Sequence, residues 1–365
     1  MIKFIHAADF HLDTPFRALP PDKAAERRSE QRELLSRLIG LAAEEKCDLV
    51  LLPGDLFDGE RVYYETAQAL ARALGSLNVP VFISPGNHDP YAARSPYVTF
   101  RWPENVHIFT APNMESVSLP GLSAVVHGCA FTSKIRDDDP LAGFSVPDDG
   151  NIHLLCVHGD VGNRTGRYAP IDPAGLAATG AHYAALGHIH MASGLQRALS
   201  VPWAYPGCPE GRGFDETGEK GVLCGTVSRQ SMDLRFVPLC KRRYEIKTVD
   251  VGGNPEDALK SALPAAPVGD ICRILLTGES GPEGLNLAPL EAMASPLYYS
   301  VALRDETRVR RDLWDRTEED TLAGLFLQGM RRRLASCGEE KERAVLEDAV
   351  RFGLAALERG EDIHP

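Results

Sequence analysis

The chain has 365 residues, 44% of them hydrophobic and 25% charged, with a formal net charge of −12. That length suits two domains, or one domain with an appendage, and no run approaches the roughly 18 uninterrupted apolar residues of a membrane span. Residues 1–240 hold 21 Lys and Arg against 28 Asp and Glu, and residues 241–365 hold 18 against 23, so no basic tail or domain announces nucleic acid.

The first two-thirds alternate strand and helix. A strand is expected over Lys3–Ala8, then a charged helix over Asp22–Glu45 with Leu34, Leu35, Leu38, Ile39 and Ala42 as its apolar stripe. Asp48–Leu52 reads as a fully apolar strand, Thr66–Leu77 as a second helix and Val79–Ser84 as a third strand. This order implies parallel pairing with helical crossovers. From Asn105 to Val157, short β-rich runs such as Ser123–His127 and Ile152–Val157 alternate with turn-rich loops, which suits a second sheet stacked on the first. Gly221–Val227 and Asp233–Pro238 follow as further strands. Near Lys241 the pattern shifts to a small α/β appendage, with strands at Arg243–Val251, Cys272–Leu276 and Leu297–Leu303 and a short helix at Ala258–Leu263. Two helices close the chain, about Thr317–Ala335 and Glu339–Arg359. The expected divisions are 1–240, 241–315 and 316–365.

Five motifs in the first 190 residues each follow an apolar run: Asp9-Phe10-His11, Gly54-Asp55, Gly86-Asn87-His88-Asp89, His158-Gly159-Asp160 and Gly187-His188-Ile189-His190. In parallel α/β sheets, ligands bind beyond the carboxyl ends of strands, and Asp9, Asp55, Asn87, His158 and His188 all fall at such ends. Gly54, Gly86 and Gly187 permit the sharp reversals that aim the next side chain over the strand tip. Imidazole, carboxylate and amide oxygen together suit Mn²⁺, Fe²⁺ or Zn²⁺ better than Ca²⁺ or Mg²⁺. One carboxylate can bridge two ions about 3.5–4 Å apart, the arrangement that cleaves phosphate esters, and Asp55 lies in the middle of the set. His107, His127, His153, His182 and His364 lie in no motif and read as structural. His6 precedes Asp9 on its strand and is a candidate support for the site.

These blocks resemble, in order and type, the calcineurin-like metallophosphoesterases. His6-Ala7-Ala8-Asp9-Phe10-His11-Leu12-Asp13, Gly54-Asp55-Leu56-Phe57-Asp58 and Gly187-His188-Ile189-His190 look like the SbcD-type DNA repair exonucleases, nuclease subunits that work with an SbcC-type coiled-coil ATPase. The resemblance implies a four-layer α/β/β/α fold of two stacked mixed sheets flanked by helices, with a small α/β capping domain and terminal helices. It implies two divalent ions, Mn²⁺ foremost. Asp9, His11 and His190 would hold one with Asp55; Asn87, His158 and His188 would hold the other, again with Asp55. His88 would contact the scissile phosphate and assist the leaving group, and Asp89 would orient His88. DNA as substrate, an SbcC-like ATPase as partner and a homodimer follow from the same resemblance. A phosphatase or cyclic-nucleotide phosphodiesterase on the same core is the alternative enzyme, and a regulatory subunit of a coiled-coil ATPase the alternative of another class.

Outside the motifs, Lys241-Arg242-Arg243 reads either as a phosphate contact or as a solvated hinge. Tyr205-Pro206-Gly207 and Arg212 read as shaping a substrate cleft or as a tight loop. Arg308, Arg310, Arg311 and Arg331-Arg332-Arg333 are interleaved with acids and read as solvated. The eight cysteines are scattered without a CxxC pair, and Cys129, Cys156 and Cys272 sit in apolar runs as buried thiols. A reducing cytoplasm is the expected compartment. No signal peptide is expected, because a strand begins at Ile2 and Asp9 is already a candidate ligand.

Overall fold

The structure is a computed structural model; it describes residues 1–359 apart from 18, 60, 61, 164, 282, 283 and 310. His364 and Arg310 therefore lie outside the described residues. The chain divides into two compact units, Met1–Arg243 and Tyr244–Pro365.

The first unit runs β1 (Ile2–His6), α1 (Pro21–Glu45), β2 (Leu49–Leu52), α2 (Tyr64–Gly75), β3 (Val81–Ile83), α3 (Pro96–Thr99), β4 (Val106–Ile108), β5 (Glu115–Leu119), β6 (Ala124–Gly128) and β7 (Ile152–His158). It continues through β8 (Asp160–Val161), β9 (Pro170–Ile171), α4 (Pro173–Ala178), β10 (Tyr183–Gly187), β11 (Gln196–Ala198), β12 (Val201–Ala204), β13 (Gly221–Val227) and β14 (Met232–Pro238). One sheet has the order β14-β13-β1-β2-β3-β4 and the other β11-β12-β10-β7-β6-β5. The expected parallel pairing holds for β1 to β4, and β6, β7, β10 and β12 are parallel as well. Antiparallel strands occupy the margins, so both sheets are mixed.

Burial explains the layering. β2 and β7 lie in the middle of their sheets, and every residue of Leu-Val-Leu-Leu and Ile-His-Leu-Leu-Cys-Val-His is buried, as a strand covered on both faces requires. Ile2, Phe4, Leu49, Leu51 and Phe82 of one sheet pack on Val126, Leu154, Cys156 and Tyr183 of the other. The opposite face of the first sheet, through Ile5, Val50, Leu52 and Ile83, meets Leu34, Leu35 and Leu38 of α1 and Leu70 and Leu74 of α2. The second sheet covers its outer face with Leu176 of α4 and Leu141. The result is helix, sheet, sheet, helix. His6 stitches the two sheets: its Nε2 donates to the Leu186 carbonyl at 3.0 Å, which leaves Nδ1 to accept from the Tyr183 hydroxyl at 2.9 Å. Burial pushes its pKa down to about 3.

The second unit contains β15 (Tyr244–Asp250), α5 (Pro255–Ala262), β16 (Ile271–Thr277), β17 (Glu279–Ser280), α6 (Leu287–Ala294), β18 (Ser300–Asp305), β19 (Arg308–Val309), α7 (Leu322–Ser336) and α8 (Glu340–Arg359). β15, β16 and β18 form a parallel sheet. α6 is a helix the sequence pattern does not announce. α7 and α8 pack on each other through Leu327, Met330, Val350 and Leu354, with Trp314 and Phe326 beside them. Apolar spacing picks out Leu322, Leu325, Phe326 and Met330 as one face of α7, yet Leu322 is 74% exposed and Leu325 is 62% exposed. A glycine permits the approach of the large side chains: a Cβ on Gly353 would stand 2.2 Å from the Phe326 ring.

Among the described residues, no helix is long and apolar enough to cross a membrane.

Candidate metal centre

The five strand tips deliver their side chains to one place. β1, β2, β3, β7 and β10 are neighbours in two stacked sheets; His158 ends β7, and Asp9, Asp55, Asn87 and His188 lie in the loops that follow the carboxyl ends of the others. Backbone bonds zip the loops after β1 and β2 together: Asp9 N–H donates to Gly54 O at 3.1 Å, His11 N–H to Asp55 O at 3.0 Å and Leu12 N–H to Leu56 O at 2.9 Å. Glycine is required where the loops cross. Gly54 has φ +87°, and a Cβ on Gly187 would sit 1.8 Å from the Pro53 carbonyl oxygen. The functional side chains themselves occupy left-handed backbone, with φ of 55° at Asp9, 44° at His11, 51° at Asp55 and 114° at His188.

Three groups of donors form among the described residues, one of them His11, Asp58 and His88, and the other two made up of expected ligands alone. Asp9, His11 and His190 bring ligand atoms within 4.8 Å of one another, and so do Asp55, His158 and His188. His11 Nε2 lies 3.2 Å from His190 Nε2 and 3.7 Å from Asp55 Oδ2. His158 Nε2 lies 3.5 Å from Asp55 Oδ2 and 2.9 Å from Asn87 Oδ1, which is 3.2 Å from His188 Nδ1. Asp55 thus stands between the groups. All seven expected ligand residues meet here. His88 stands at the rim with its side chain 44% exposed, its ring centroid 4.7 Å from that of His11.

Hydrogen-bond logic tests whether a cation fits. His158 Nδ1 is 2.9 Å from the Pro53 carbonyl, which can only accept, so the proton is on Nδ1 and Nε2 is a bare lone pair. That lone pair faces the Asn87 oxygen and an Asp55 oxygen. Three acceptors converge with no proton among them, an arrangement that a divalent cation satisfies. Burial holds His11 well below its usual range; burial, with His158 beside it, lowers His188 to about 3. Both imidazoles are therefore neutral at pH 7, the form that ligates metal. Asp9 is fully buried, and burial and then Asp55 push its pKa up; a bound cation would reverse that cost. The residues fit a divalent metal.

Asp89 requires a correction. It is not aimed at the His88 ring. Its oxygens accept from the backbone N–H of Gly86 (2.9 Å), Asp55 (3.2 Å), Leu56 (2.7 Å) and Phe57 (3.1 Å) and from the Tyr97 hydroxyl (2.6 Å). It ties the loop after β3 to the loop after β2, because several orphan amides point into one buried spot and only an acceptor satisfies them. The carboxylate that faces the His88 ring is Asp58, whose Oδ1 is 3.9 Å from His88 Nδ1 and 3.3 Å from His11 Nδ1.

Residues beyond the motifs also matter. Tyr205 is buried; its hydroxyl donates to Gly159 O at 2.7 Å and accepts from Val161 N–H at 2.9 Å, which fixes the loop after β7. Arg212 lies beside the metal residues, paired with Glu216 at 2.5 Å and with Asp58 at 3.5 Å. Glu216 Oε1 is 2.8 Å from His190 Nδ1. The motif pattern does not single out Glu216, and its one sequence signal is the four-residue spacing from Arg212. Lys241 and Arg242 are taken up by α1: Lys241 Nζ is 3.2 Å from Glu30, and Arg242 Nη2 is 2.8 Å from Glu30 and 3.2 Å from Glu26. His127 and His153 are structural, joined at 2.9 Å and flanked by Ser116 and Asp149.

A double mixed sheet with His, Asp and Asn at its strand tips defines a metal-dependent phosphoesterase. The chain belongs to the calcineurin-like phosphoesterase family, whose profile matches residues 2–192. It is 30% identical over 261 residues to the "Uncharacterized metallophosphoesterase YhaO" of Bacillus subtilis, covering 68% of this chain and 63% of that protein. It is 25% identical to the SbcD component of the nuclease SbcCD of Bacillus subtilis, covering 60% of this chain and 64% of that protein. It is 27% identical to "DNA double-strand break repair protein Mre11" of Aeropyrum pernix, covering 69% and 64%. In each case the match spans somewhat under two thirds of the relative's length.

Proposed function

We propose that the chain is a dinuclear-metal phosphodiesterase that acts as a Mn²⁺-dependent DNA exo/endonuclease in repair. The observation that carries the reading is the set of unprotonated acceptors around Asp55, joined to the second set at Asp9, His11 and His190. Asp9, His11, His190 and Asp55 would hold one ion, and Asn87, His158, His188 and Asp55 the other. When bound, such a pair supplies charge for phosphate oxygens and activation of water.

The protein's own groups do the rest. His88 N–H donates to Asp55 Oδ1 at 2.9 Å, fixing the shared carboxylate. The His88 ring is exposed at the rim, where it can give a proton to a leaving oxygen. Similarity to two proteins named as a nuclease and as a double-strand break repair protein supports DNA as the substrate. The acidic charge and the pairing of Lys241 and Arg242 with α1 favour the second reading, a phosphodiesterase for small substrates.

A coiled-coil ATPase is the proposed partner, through the exposed Leu322, Leu325, Val345, Phe352 and Leu357 of α7 and α8. A cytoplasmic setting agrees with eight unpaired cysteines.

The test is to incubate the purified chain with Mn²⁺ and compare single-stranded DNA, duplex ends and a simple phosphodiester. Cleavage of the simple ester alone would move the protein to the second reading. No hydrolysis of any of the three would refute both.

A further inference from the structure

His190 has two neighbours that make opposite demands. Its Nδ1 is 2.8 Å from Glu216 Oε1 and 2.9 Å from Arg212 Nη2. A carboxylate only accepts, and a guanidinium only donates. If Nδ1 carries the proton, it donates to Glu216 and leaves Nε2 bare. If Nδ1 accepts from Arg212, the proton moves to Nε2. Nε2 is the atom that faces His11 Nε2 at 3.2 Å, in the group with Asp9. A proton there would occupy the direction a cation needs.

We infer that Glu216 is a positioning residue that selects the His190 tautomer, holding the proton on Nδ1 against the competing guanidinium of Arg212. The inference rests on the reading of His190 as a metal ligand. Glu216 prevails because it also occupies Arg212. Its carboxylate accepts from Arg212 Nη2 at 2.5 Å, from Nε at 3.1 Å and from the Arg212 backbone N–H at 2.8 Å. It is buried, so no water competes for its oxygens.

The backbone that carries the ring does not depend on Glu216 for its place. The His190 carbonyl accepts from Cys208 N–H at 3.2 Å and from Lys220 Nζ at 3.2 Å. Removing Glu216 leaves that backbone held and the His11 ring edge-on at 4.9 Å, with Arg212 as the remaining neighbour at Nδ1. A donor then faces Nδ1, and the wrong tautomer is favoured. Removing Arg212 as well lifts that bias. The second substitution should repair the first, which a merely structural role for Glu216 would not produce.

The experiment titrates the full chain with Mn²⁺ alone and reads stoichiometry and affinity. The metal-free chain, labelled with ¹⁵N-histidine, reports the His190 tautomer. His190→Ala should lose one ion. Glu216→Ala should weaken one Mn²⁺ by roughly 10–100-fold, the usual effect of losing a carboxylate behind a ligating imidazole. Arg212→Ala should keep both ions, and Arg212→Ala/Glu216→Ala should bind more tightly than Glu216→Ala. Unchanged affinity in Glu216→Ala, a double variant no tighter than Glu216→Ala, or an Nε2–H tautomer in the wild-type protein would each overturn the inference. The tautomer measurement stands even where a variant fails to fold. If His190→Ala keeps both ions, the ligand reading falls and this inference falls with it.

Discussion

Arg27 is fully buried on α1, and its replacement offers a sharp test of the buried ion-pair network that ties α1 to the loop after β12. Its guanidinium donates to Glu30 at 2.6 Å, to Glu210 at 2.7 Å and to the Gly211 carbonyl at 3.1 Å. Arg27→Met keeps the length of the stem and removes the charge. The two carboxylates then fare differently. Glu30 keeps Arg242 at 2.8 Å and Lys241 at 3.2 Å. Glu210, also fully buried, keeps the Lys241 backbone N–H at 3.1 Å and only a distant cation, Arg37 at 3.8 Å. Breaking a buried pair in this way costs about 3–5 kcal/mol, because the remaining charge stays desolvated. That is a large share of a total stability of roughly 5–15 kcal/mol. Glu210→Gln in the same chain removes the stranded charge, so the double variant should recover about 1–3 kcal/mol of the loss. Urea denaturation followed by circular dichroism measures all three variants. A cost below about 1 kcal/mol for Arg27→Met, or a double variant equal to the sum of the singles, would refute the argument.

Further outcomes are expected. His88→Ala should retain both metal ions and lower phosphodiester cleavage by roughly 10²–10⁴-fold, whereas Asp55→Ala should lose metal as well as activity; metal analysis beside a rate assay separates them. His6 is neutral in the fold, with its pKa pushed from 6.5 down to about 3. The unfolded chain takes up its proton first as pH falls. Stability is full above pH 6.5 and declines toward pH 3, by ~1.4 kcal/mol per pH unit for this group. His6→Gln should flatten that part of the pH–stability curve. Truncation near Asp315 should leave Mn²⁺-dependent cleavage of small phosphodiesters intact and abolish binding to a coiled-coil ATPase; retained binding in a pull-down would place the partner surface elsewhere.

Much of this was legible in the sequence because it depends on local rules. α1 begins at a proline and carries its apolar stripe at helical spacing, so its bounds were readable to within a residue. The strand-tip residues were readable because chemistry, glycine and apolar run coincide in each motif. α6 was not, since Leu287–Ala294 is short and holds Pro289, a residue that usually ends such patterns. Spacing alone misplaced Leu322 and Leu325, because the face of α7 that meets α8 runs through Phe326, Leu327 and Met330, with Gly353 letting the Phe326 ring approach.

What no motif conveys is the cost of the site and how it is met. Asp9, His11, Asp55 and His188 all adopt left-handed backbone, each at a cost of order 1–3 kcal/mol. Such conformations persist only where their surroundings over-determine them. Asp89 supplies that constraint for Asp55, gathering four backbone amides from two loops, and Asp9 does the same for His188 by accepting its N–H at 3.1 Å. These two carboxylates look alike in sequence, each within two residues of a histidine after a strand. One joins the donor groups and the other holds the loops that carry them. The difference lies in which amides the folded loops turn inward, a property of long-range packing between residues 34 and 179 positions apart.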